Sequence, residues 1–266
     1  MAETVLDRIV AAAHRRMQAH PAAPDLVDRA FEAAERRRDD GPRSLRSALA
    51  ADGPGLIAEC KHASPSAGVL REPFDPVALA VSYEQAGASA ISVVVEPEFF
   101  LGDPRWIGDV RRAVDLPVLR KDFIVTDRQL YETALLGADA VLLIQRLLDE
   151  AATRRLLGLA RQLEIEVLLE IFVDEDPQPA VDSGAEVLGV NARDLATFET
   201  DLGKVERLAS VLPEDRIRVA ESGIHGPPDI VRLAAAGYDA FLVGEHLVRS
   251  QDPGAAVRRL LQEEEM

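Results

Sequence analysis

The sequence predicts an α/β fold, a barrel in which eight strands alternate with eight helices, from two sets of short apolar runs. Four runs follow a glycine and recur about every fifty residues, after Gly87, Gly137, Gly184 and Gly237. Four others complete the set, at 56–61, 118–121, 166–171 and 217–221. The glycine-led runs do not alternate apolar with polar residues, which is typical of parallel strands that are buried on both faces.

Helices are predicted in the intervals between these strands. A helix would end at each of the four repeated glycines, and glycine is the residue that most often caps a helix C-terminus. The helices are expected near 75–87, 104–114, 127–137, 149–162, 174–184, 201–211, 227–236 and 253–263. Eight such units within one chain of 266 residues predict a (βα)8 TIM barrel, with a doubly wound open sheet as the alternative.

The residues before the barrel pattern have helical periodicity. Apolar residues recur in two segments, Val5, Ile9 and Val10 and then Leu26, Ala30 and Phe31. We predict an N-terminal helical extension over 1–50 that packs on a barrel over 51–266, in a single domain overall. The run from Arg36 to Arg38 is interpreted as a solvated helix end.

The composition excludes some classes of function. Hydrophobic residues make up 47% and charged residues 29%, the ordinary balance of a soluble globular protein. A net charge of −16 argues against nucleic acid or an anionic membrane as a partner, so an anionic ligand must be held by local contacts. The single cysteine and the scattered histidines give no metal site. We expect a cytoplasmic protein without a membrane span, as a monomer or weak homodimer.

Polar side chains end five of the predicted strands. Because the active site of such a barrel lies at the C-terminal ends of its strands, these residues are candidates for catalysis. They are Glu59 and Lys61 after strand one, Lys121 and Asp122 after strand three, Glu170 after strand five, Asn191, Arg193 and Asp194 after strand six, and Glu221 after strand seven. Five strands that each bring such a residue to the same rim are hard to explain by a structural role alone.

The two charged residues of the first strand are predicted to lie on the same face. Side chains alternate between faces in an extended chain, so Glu59 and Lys61 point to one side while Cys60 and His62 point to the other. An unpaired charge is costly inside an apolar strand and is usually functional. The alternative is a structural ion pair on an exposed edge.

Small residues follow the last two strands. Ser222 and Gly223 come after strand seven, and Gly244 and Glu245 after strand eight. Glycine lets backbone N–H groups approach an anion, and the loops after the last two strands of such barrels often bind phosphate. We therefore predict a phosphate cup, in which Glu245 contributes only its N–H because its carboxylate would repel the anion.

Several stretches are distinctive enough to indicate a family. They are Ile57-Ala-Glu-Cys-Lys, Phe99-Phe100, Leu119-Arg-Lys-Asp-Phe-Ile, Gly189-Val-Asn-Ala-Arg-Asp-Leu-Ala-Thr-Phe and Glu221-Ser-Gly-Ile. In them the chain resembles the indole-3-glycerol phosphate synthase family of tryptophan biosynthesis, over nearly its whole length. It departs from the usual pattern at four positions, Ala67, where the family's first loop usually has lysine, Val95, Leu101 and Asp103.

The resemblance implies a reaction and roles for its catalytic groups. The family closes the ring of 1-(2-carboxyphenylamino)-1-deoxyribulose 5-phosphate, with loss of carbon dioxide and water, and needs no cofactor. By resemblance Lys121 is the general acid, Lys61 binds the substrate carboxylate, and Glu170 is the general base for dehydration. Glu59 is expected to orient the two lysines.

The resemblance also implies the groups that bind substrate. Asn191 and Arg193 would hold its polar groups, and Glu221 its ribulose hydroxyls. Phe100 and Phe123 would flank the aromatic ring. The phosphate site would consist of Ser64, Ser222, Gly223, Gly244 and the N–H of Glu245.

Two other functions remain open. Phosphoribosylanthranilate isomerase uses a similar barrel with a cysteine or aspartate on strand one, so Cys60 makes it worth testing. Against it, alternation directs Cys60 toward the helices, and strand six ends in Asn191 rather than aspartate. The other alternative is a barrel retained as a binding or regulatory subunit, which would be expected to lose its charged rim.

Overall fold

The computed structural model describes residues 4–41, 43–51, 53–193 and 200–262. Eight parallel strands in these residues close into a barrel, each paired with the next along the chain and the last paired with the first. They are β1 (Gly55–Cys60), β2 (Ala90–Val94), β3 (Val118–Lys121), β4 (Ala140–Ile144), β5 (Glu166–Phe172), β6 (Val187–Asn191), β7 (Ile217–Glu221) and β8 (Ala240–Val243). The predicted TIM barrel is therefore confirmed, and the open sheet is excluded.

Helices surround the strands and precede them. In the N-terminal segment they are α1 (Val5–Ala19), α2 (Leu26–Asp40) and α3 (Leu45–Leu49). Around the barrel they are α4 (Pro76–Gln85), α5 (Arg105–Ala113), α6 (Asp127–Leu136), α7 (Glu150–Gln162), α8 (Gln178–Asp182), α9 (Leu202–Ala209), α10 (Pro227–Ala236), α11 (Glu245–Arg249) and α12 (Pro253–Leu261). No helix of the described residues has both the length and the apolar character needed to cross a membrane.

The repeated glycines end helices as expected. Gly137 after α6 and Gly237 after α10 have φ of 84° and 109°, a left-handed conformation in which a Cβ would be strained. The prediction of a helix over 174–184 was too long, since α8 is a short helix, Gln178–Asp182. Pro177 and Pro179 stand at its start, and proline is tolerated only in the first turn of a helix.

The strand side chains pack in two layers. On the inside of the barrel, residues such as Ile57, Leu119 and Leu168 form a small core. On the outside, neighbours such as Ala58 and Leu169 pack against the helices in a larger core. This division follows from the alternation of side chains along a strand, and it leaves the C-terminal ends of the strands free for polar residues.

The N-terminal segment packs on the barrel. Ala30 and Ala34 of α2 lie in the outer core and Leu45 and Leu49 of α3 lie in the inner one. The interpretation of Arg36 to Arg38 as a solvated end is wrong for Arg37, which is only 6% exposed. Its guanidinium donates to the backbone carbonyls of Ala138 and Leu163, which offsets the cost of burying the charge.

Candidate active site

A cavity of about 710 Å³ opens at the C-terminal ends of the strands. The residues to which the resemblance assigned a role in catalysis or substrate binding line it: Glu59, Lys61, Ser64, Phe100, Lys121, Phe123, Glu170, Asn191, Arg193, Glu221, Ser222, Gly223, Gly244 and Glu245. The strand register contributes to this, because Glu170 at the end of β5 pairs with Ile144 of β4, and Asn191 pairs with Glu221. Residues far apart in sequence are thus brought to one rim.

The first charged pair comes from β1. Lys61 Nζ lies 2.9 Å from Glu59 Oε1, so the two residues share a face as alternation predicted. Burial by itself would raise the pKa of Glu59, but the ammonium groups of Lys61 and Lys121 outweigh it and lower that pKa. The carboxylate also lies against Gly244, where any Cβ would collide with it. Glycine at 244 therefore makes the room that Glu59 occupies.

The second cluster is centred on Lys121 at the end of β3. Its Nζ lies 2.8 Å from Glu221 Oε2 and 3.2 Å from Glu170 Oε2. Asn191 Nδ2 donates to the same oxygen of Glu170 at 3.2 Å. Burial acts to lower the pKa of Lys121, but the carboxylates of Glu221, Glu170 and Glu59 raise it overall. Lys121 is consequently protonated across the physiological pH range.

Glu221, the other partner of Lys121, has a raised pKa. Burial raises its pKa to about 8, with Lys121 opposing that shift and the neighbouring Glu170 adding to it. Glu221 Oε1 is buried and accepts no hydrogen bond from the described residues. It lies over Gly189 of β6, where a Cβ would overlap it. Three carboxylates thus share two ammonium groups, so Glu221 can hold a proton near neutral pH.

One side of the cavity is apolar. The rings of Phe100 and Phe123 lie 6.0 Å apart between centroids, inclined by 38°. Val5, Leu6 and Ile9 of α1 also line the cavity, so the N-terminal helix forms part of its wall. Periodicity predicted the apolar face of this helix and its packing on the barrel, but not its place in the cavity wall.

Glu96 holds the loop that carries Phe100. Its side chain is fully buried and accepts hydrogen bonds from the N–H groups of Phe99 and Phe100, at 2.7 and 3.3 Å. It also accepts a hydrogen bond from Arg16 Nη1 of α1 at 2.7 Å. Sequence reasoning missed this residue, although a carboxylate directly after a buried strand was a usable signal.

The other side of the cavity is polar. It carries the hydroxyl groups of Ser64, Ser66 and Ser222 and the backbone at Gly223 and Gly244. Ser222 and Gly223 have φ of 66° and 74°, both in the left-handed region, which glycine adopts without strain. Hydroxyl groups and backbone N–H groups of small residues are donors that an anion can accept.

Of the remaining polar residues singled out by sequence, Cys60 and His62 lie outside the cavity, whereas Asp122 lines it. Cys60 is fully buried in the outer core, and burial raises the pKa of its thiol. The ring of His62 stacks on Phe74 outside the barrel mouth, with 4.8 Å between centroids. Asp122 pairs with the buried Arg120 at 2.7 Å. Asp194 lies outside the described residues.

Several polar residues of the cavity were not predicted from the sequence. They are Ser66, Thr200, His225, His246, Arg249 and Ser250. Arg249 and His246 belong to α11, a short helix that sequence analysis did not separate from the end of β8. Within the described part of the chain, no group of His, Cys, Asp or Glu side chains could hold a metal ion.

The chain is similar to known proteins over most of its length. Residues 6–260 match the family model described as indole-3-glycerol phosphate synthase. The chain belongs to that family. It is 46% identical to the indole-3-glycerol phosphate synthase of Sulfurimonas denitrificans, covering 82% of this chain and 84% of the relative. With indole-3-glycerol phosphate synthase 1 of Streptomyces coelicolor it shares 43% identity, over 97% of this chain and 95% of the relative.

Solved structures support the fold alone. A 3-hexulose-6-phosphate synthase matches with a TM-score of 0.61 at 16% identity, covering 77% of this chain and 97% of that one. A chain of the tryptophan synthase complex from Pyrococcus furiosus matches with a TM-score of 0.57 at 15% identity, covering 78% and 97%. Both show how widely this barrel is shared, since identity at this level does not carry function.

Proposed function

We propose that this chain forms indole-3-glycerol phosphate by cyclising, decarboxylating and dehydrating 1-(2-carboxyphenylamino)-1-deoxyribulose 5-phosphate, as a carboxy-lyase of tryptophan biosynthesis. Membership of the family supports the reaction. The observation that carries it is the pair of buried charge clusters in one cavity, Lys121 with Glu170 and Glu221, and Lys61 with Glu59. Both lysines and their carboxylates are present, as a retained binding subunit would not require.

Lys121 is the general acid of the ring closure in this proposal. The anilino ring attacks the carbonyl carbon of the substrate, and a proton from Nζ converts the carbonyl oxygen into a hydroxyl. The acid must be protonated beforehand, and the carboxylates around Lys121 ensure that it is. Glu221, with its pKa near 8 and its Oε2 at 2.8 Å, is placed to return a proton to the lysine.

Lys61 holds the substrate carboxylate until carbon dioxide leaves. Its Nζ lines the cavity and is fixed by Glu59, so the ammonium group is positioned before the substrate arrives. A carboxylate bound there is next to the ring carbon that attacks. Departure of carbon dioxide then leaves the electron pair that restores the aromatic ring.

Glu170 is the base of the dehydration. It removes a proton from the carbon next to the hydroxyl-bearing one, and the hydroxyl leaves as water after protonation. The hydrogen bond from Asn191 at 3.2 Å orients the carboxylate toward the cavity. Because Glu170 and Lys121 are themselves in contact, acid and base act on the same two carbons.

The other cavity residues bind the substrate. Phe100 and Phe123 flank the aromatic ring, and the unpaired Oε1 of Glu221 accepts from the ribulose hydroxyls. Arg193 and Asn191 hold further polar groups. The phosphate lies among Ser64, Ser222, Gly223, Gly244 and the N–H of Glu245.

Several broader features belong to this proposal. Residues 1–50 and the barrel act as one domain, which is supported by the contribution of α1 to the cavity wall. The chain works in the cytoplasm as a monomer or weak homodimer, without nucleic acid or cofactor. The isomerase alternative is not supported, because Cys60 is buried among the helices with a raised pKa.

The direct test is formation of indoleglycerol phosphate by the purified chain, followed by its fluorescence. We expect turnover with the carboxyphenylamino substrate and none with phosphoribosylanthranilate. Lys204→Met, which removes a lysine from α9 away from the cavity, should keep this turnover and serves as the control for variants of the cavity lysines. Absence of turnover in a folded protein would refute the proposed reaction, whereas isomerase turnover would favour the alternative.

A further inference from the structure

Two guanidinium groups flank the phosphate side of the cavity, and Arg249 has no assigned role. Arg249 is the last residue of α11 and lines the cavity. Its Nη2 donates to the carbonyl of Ala67 at 3.4 Å, and its Nε donates to Glu245 Oε1 at 3.1 Å. The side chain therefore joins α11 to the turn that follows β1.

Arg193 reaches the same turn from the loop after β6. Its Nη1 donates to Ser66 Oγ at 3.1 Å, and its Nη2 lies 4.0 Å from Glu245 Oε2. Each arginine therefore contacts one residue of the Ser66 and Ala67 pair and one oxygen of the same carboxylate. The loop after β6 and helix α11 thus each bring a guanidinium group to the Ser66–Ala67 turn.

The charges at this point do not cancel. Two guanidinium groups and the carboxylate of Glu245 leave one positive charge, in a chain whose net charge is −16. The sequence suggested that the Glu245 carboxylate would repel a phosphate. In the structure it is instead paired to both arginines, which reduces its repulsion and holds their planar groups in place.

We propose that Arg249 binds the phosphate group of the substrate beside Arg193, and that Glu245 is the positioning residue that holds both guanidinium groups over the phosphate cup. The inference rests on the proposed function for the identity of the substrate. Arg249 supplies at the Ser66–Ala67 turn a cation that Ala67 cannot supply. Arginine presents paired N–H donors, the geometry that phosphate oxygens accept.

Inorganic phosphate is the probe that tests this without turnover. We expect Arg249→Gln to weaken phosphate binding by about tenfold, the size expected for losing a charge-assisted hydrogen bond at a half-exposed site. Binding is followed by calorimetry and by the shift in melting temperature that phosphate causes. The matched control is Arg154→Gln on α7, which breaks another i,i+4 pair with a glutamate, Glu150, outside the cavity. Equal phosphate affinity in the two variants would overturn the proposal.

Glu245→Ala tests positioning through the sign of its effect. Removing a negative charge near a bound anion would by itself tighten phosphate binding. If Glu245 positions the arginines, binding weakens instead, and adding Arg249→Gln causes little further loss. Tighter binding by Glu245→Ala would overturn the positioning role.

A third experiment places a positive charge at position 67 in the variant that lacks Arg249. Ala67→Lys in the Arg249→Gln background should restore most of the lost phosphate affinity, whereas the same substitution in the otherwise native chain should change affinity by less than about threefold. A large gain in the native chain and no rescue in the variant would show that Arg249 does not supply the cation. With substrate, Arg249→Gln should raise KM and leave kcat nearly unchanged. Failure of the native chain to form indoleglycerol phosphate would refute the proposed function, while the phosphate measurements would still decide the role of Arg249.

Discussion

Replacing Lys121 with methionine removes the ammonium group while keeping most of the length of the side chain. Its Nζ contacts Glu170 at 3.2 Å and Glu221 at 2.8 Å, so the proton donor and its supporting charges are lost together. General acid catalysis by one group is worth about 10² to 10⁴ in rate, and electrostatic stabilisation adds a comparable factor. We expect kcat to fall by at least about a thousandfold, a barrier increase of about 4 kcal/mol.

Single-turnover measurements locate the step that is lost. In Lys121→Met, release of carbon dioxide and appearance of indole fluorescence should both be suppressed, because the acid acts before decarboxylation. In Glu170→Gln, ring closure and decarboxylation should proceed, so carbon dioxide release should outrun indole formation. The two variants should differ in this way because the two residues act in different steps, although Lys121 Nζ lies only 3.2 Å from Glu170 Oε2.

Lys204→Met provides the control for folding and expression, since Lys204 lies on α9 and outside the cavity. Lys121→Met leaves Glu170 and Glu221 buried without that ammonium group, so a lowered melting temperature is expected and must be checked before activity is compared. If Lys121→Met releases carbon dioxide at a near-normal rate, the acid is Lys61 and the roles of the two lysines are reversed.

Three further changes test other parts of the site. Ser222→Ala should raise KM by about tenfold with little change in kcat, because it removes one hydrogen bond to a charged group; a fall in kcat at constant KM would contradict the phosphate cup. Gly189→Ala should lower kcat, since its Cβ would overlap Glu221 Oε1, whereas Gly158→Ala in α7 has open space and should instead stabilise the fold by about 0.5 to 1 kcal/mol in thermal melts. Glu221→Gln should gain stability relative to the native chain as pH rises from about 5 to 8. The folded-state pKa of Glu221 is raised to about 8, above about 4.3 in the unfolded chain, so the native fold binds a proton that unfolding releases and loses stability over this interval. A melting-temperature difference that does not vary with pH would refute that raised pKa.

Sequence patterns are sufficient to predict the barrel and the rim on which the site lies. Strands and helix ends are specified within a few residues, by apolar runs and by glycines such as Gly137 that adopt a left-handed conformation. Alternation along β1 also predicted which side Glu59 and Lys61 share and which side Cys60 faces. Once eight parallel strands are placed in order, the residues at their C-terminal ends must meet at one rim.

Which of these residues pair with one another depends on the folded barrel. Lys121 pairs with Glu170 and Glu221, which are 49 and 100 residues away, and no local pattern distinguishes them from other carboxylates of an acidic chain. The same holds for α1: its segment was predicted to pack on the barrel, but its place in the cavity wall is decided by the tertiary structure. Arg37 was interpreted as part of a solvated helix end, and no role was predicted for Arg249. Each contacts backbone carbonyls that are distant in sequence, Ala138 and Leu163 for Arg37 and Ala67 for Arg249, so these contacts exist only in the folded barrel.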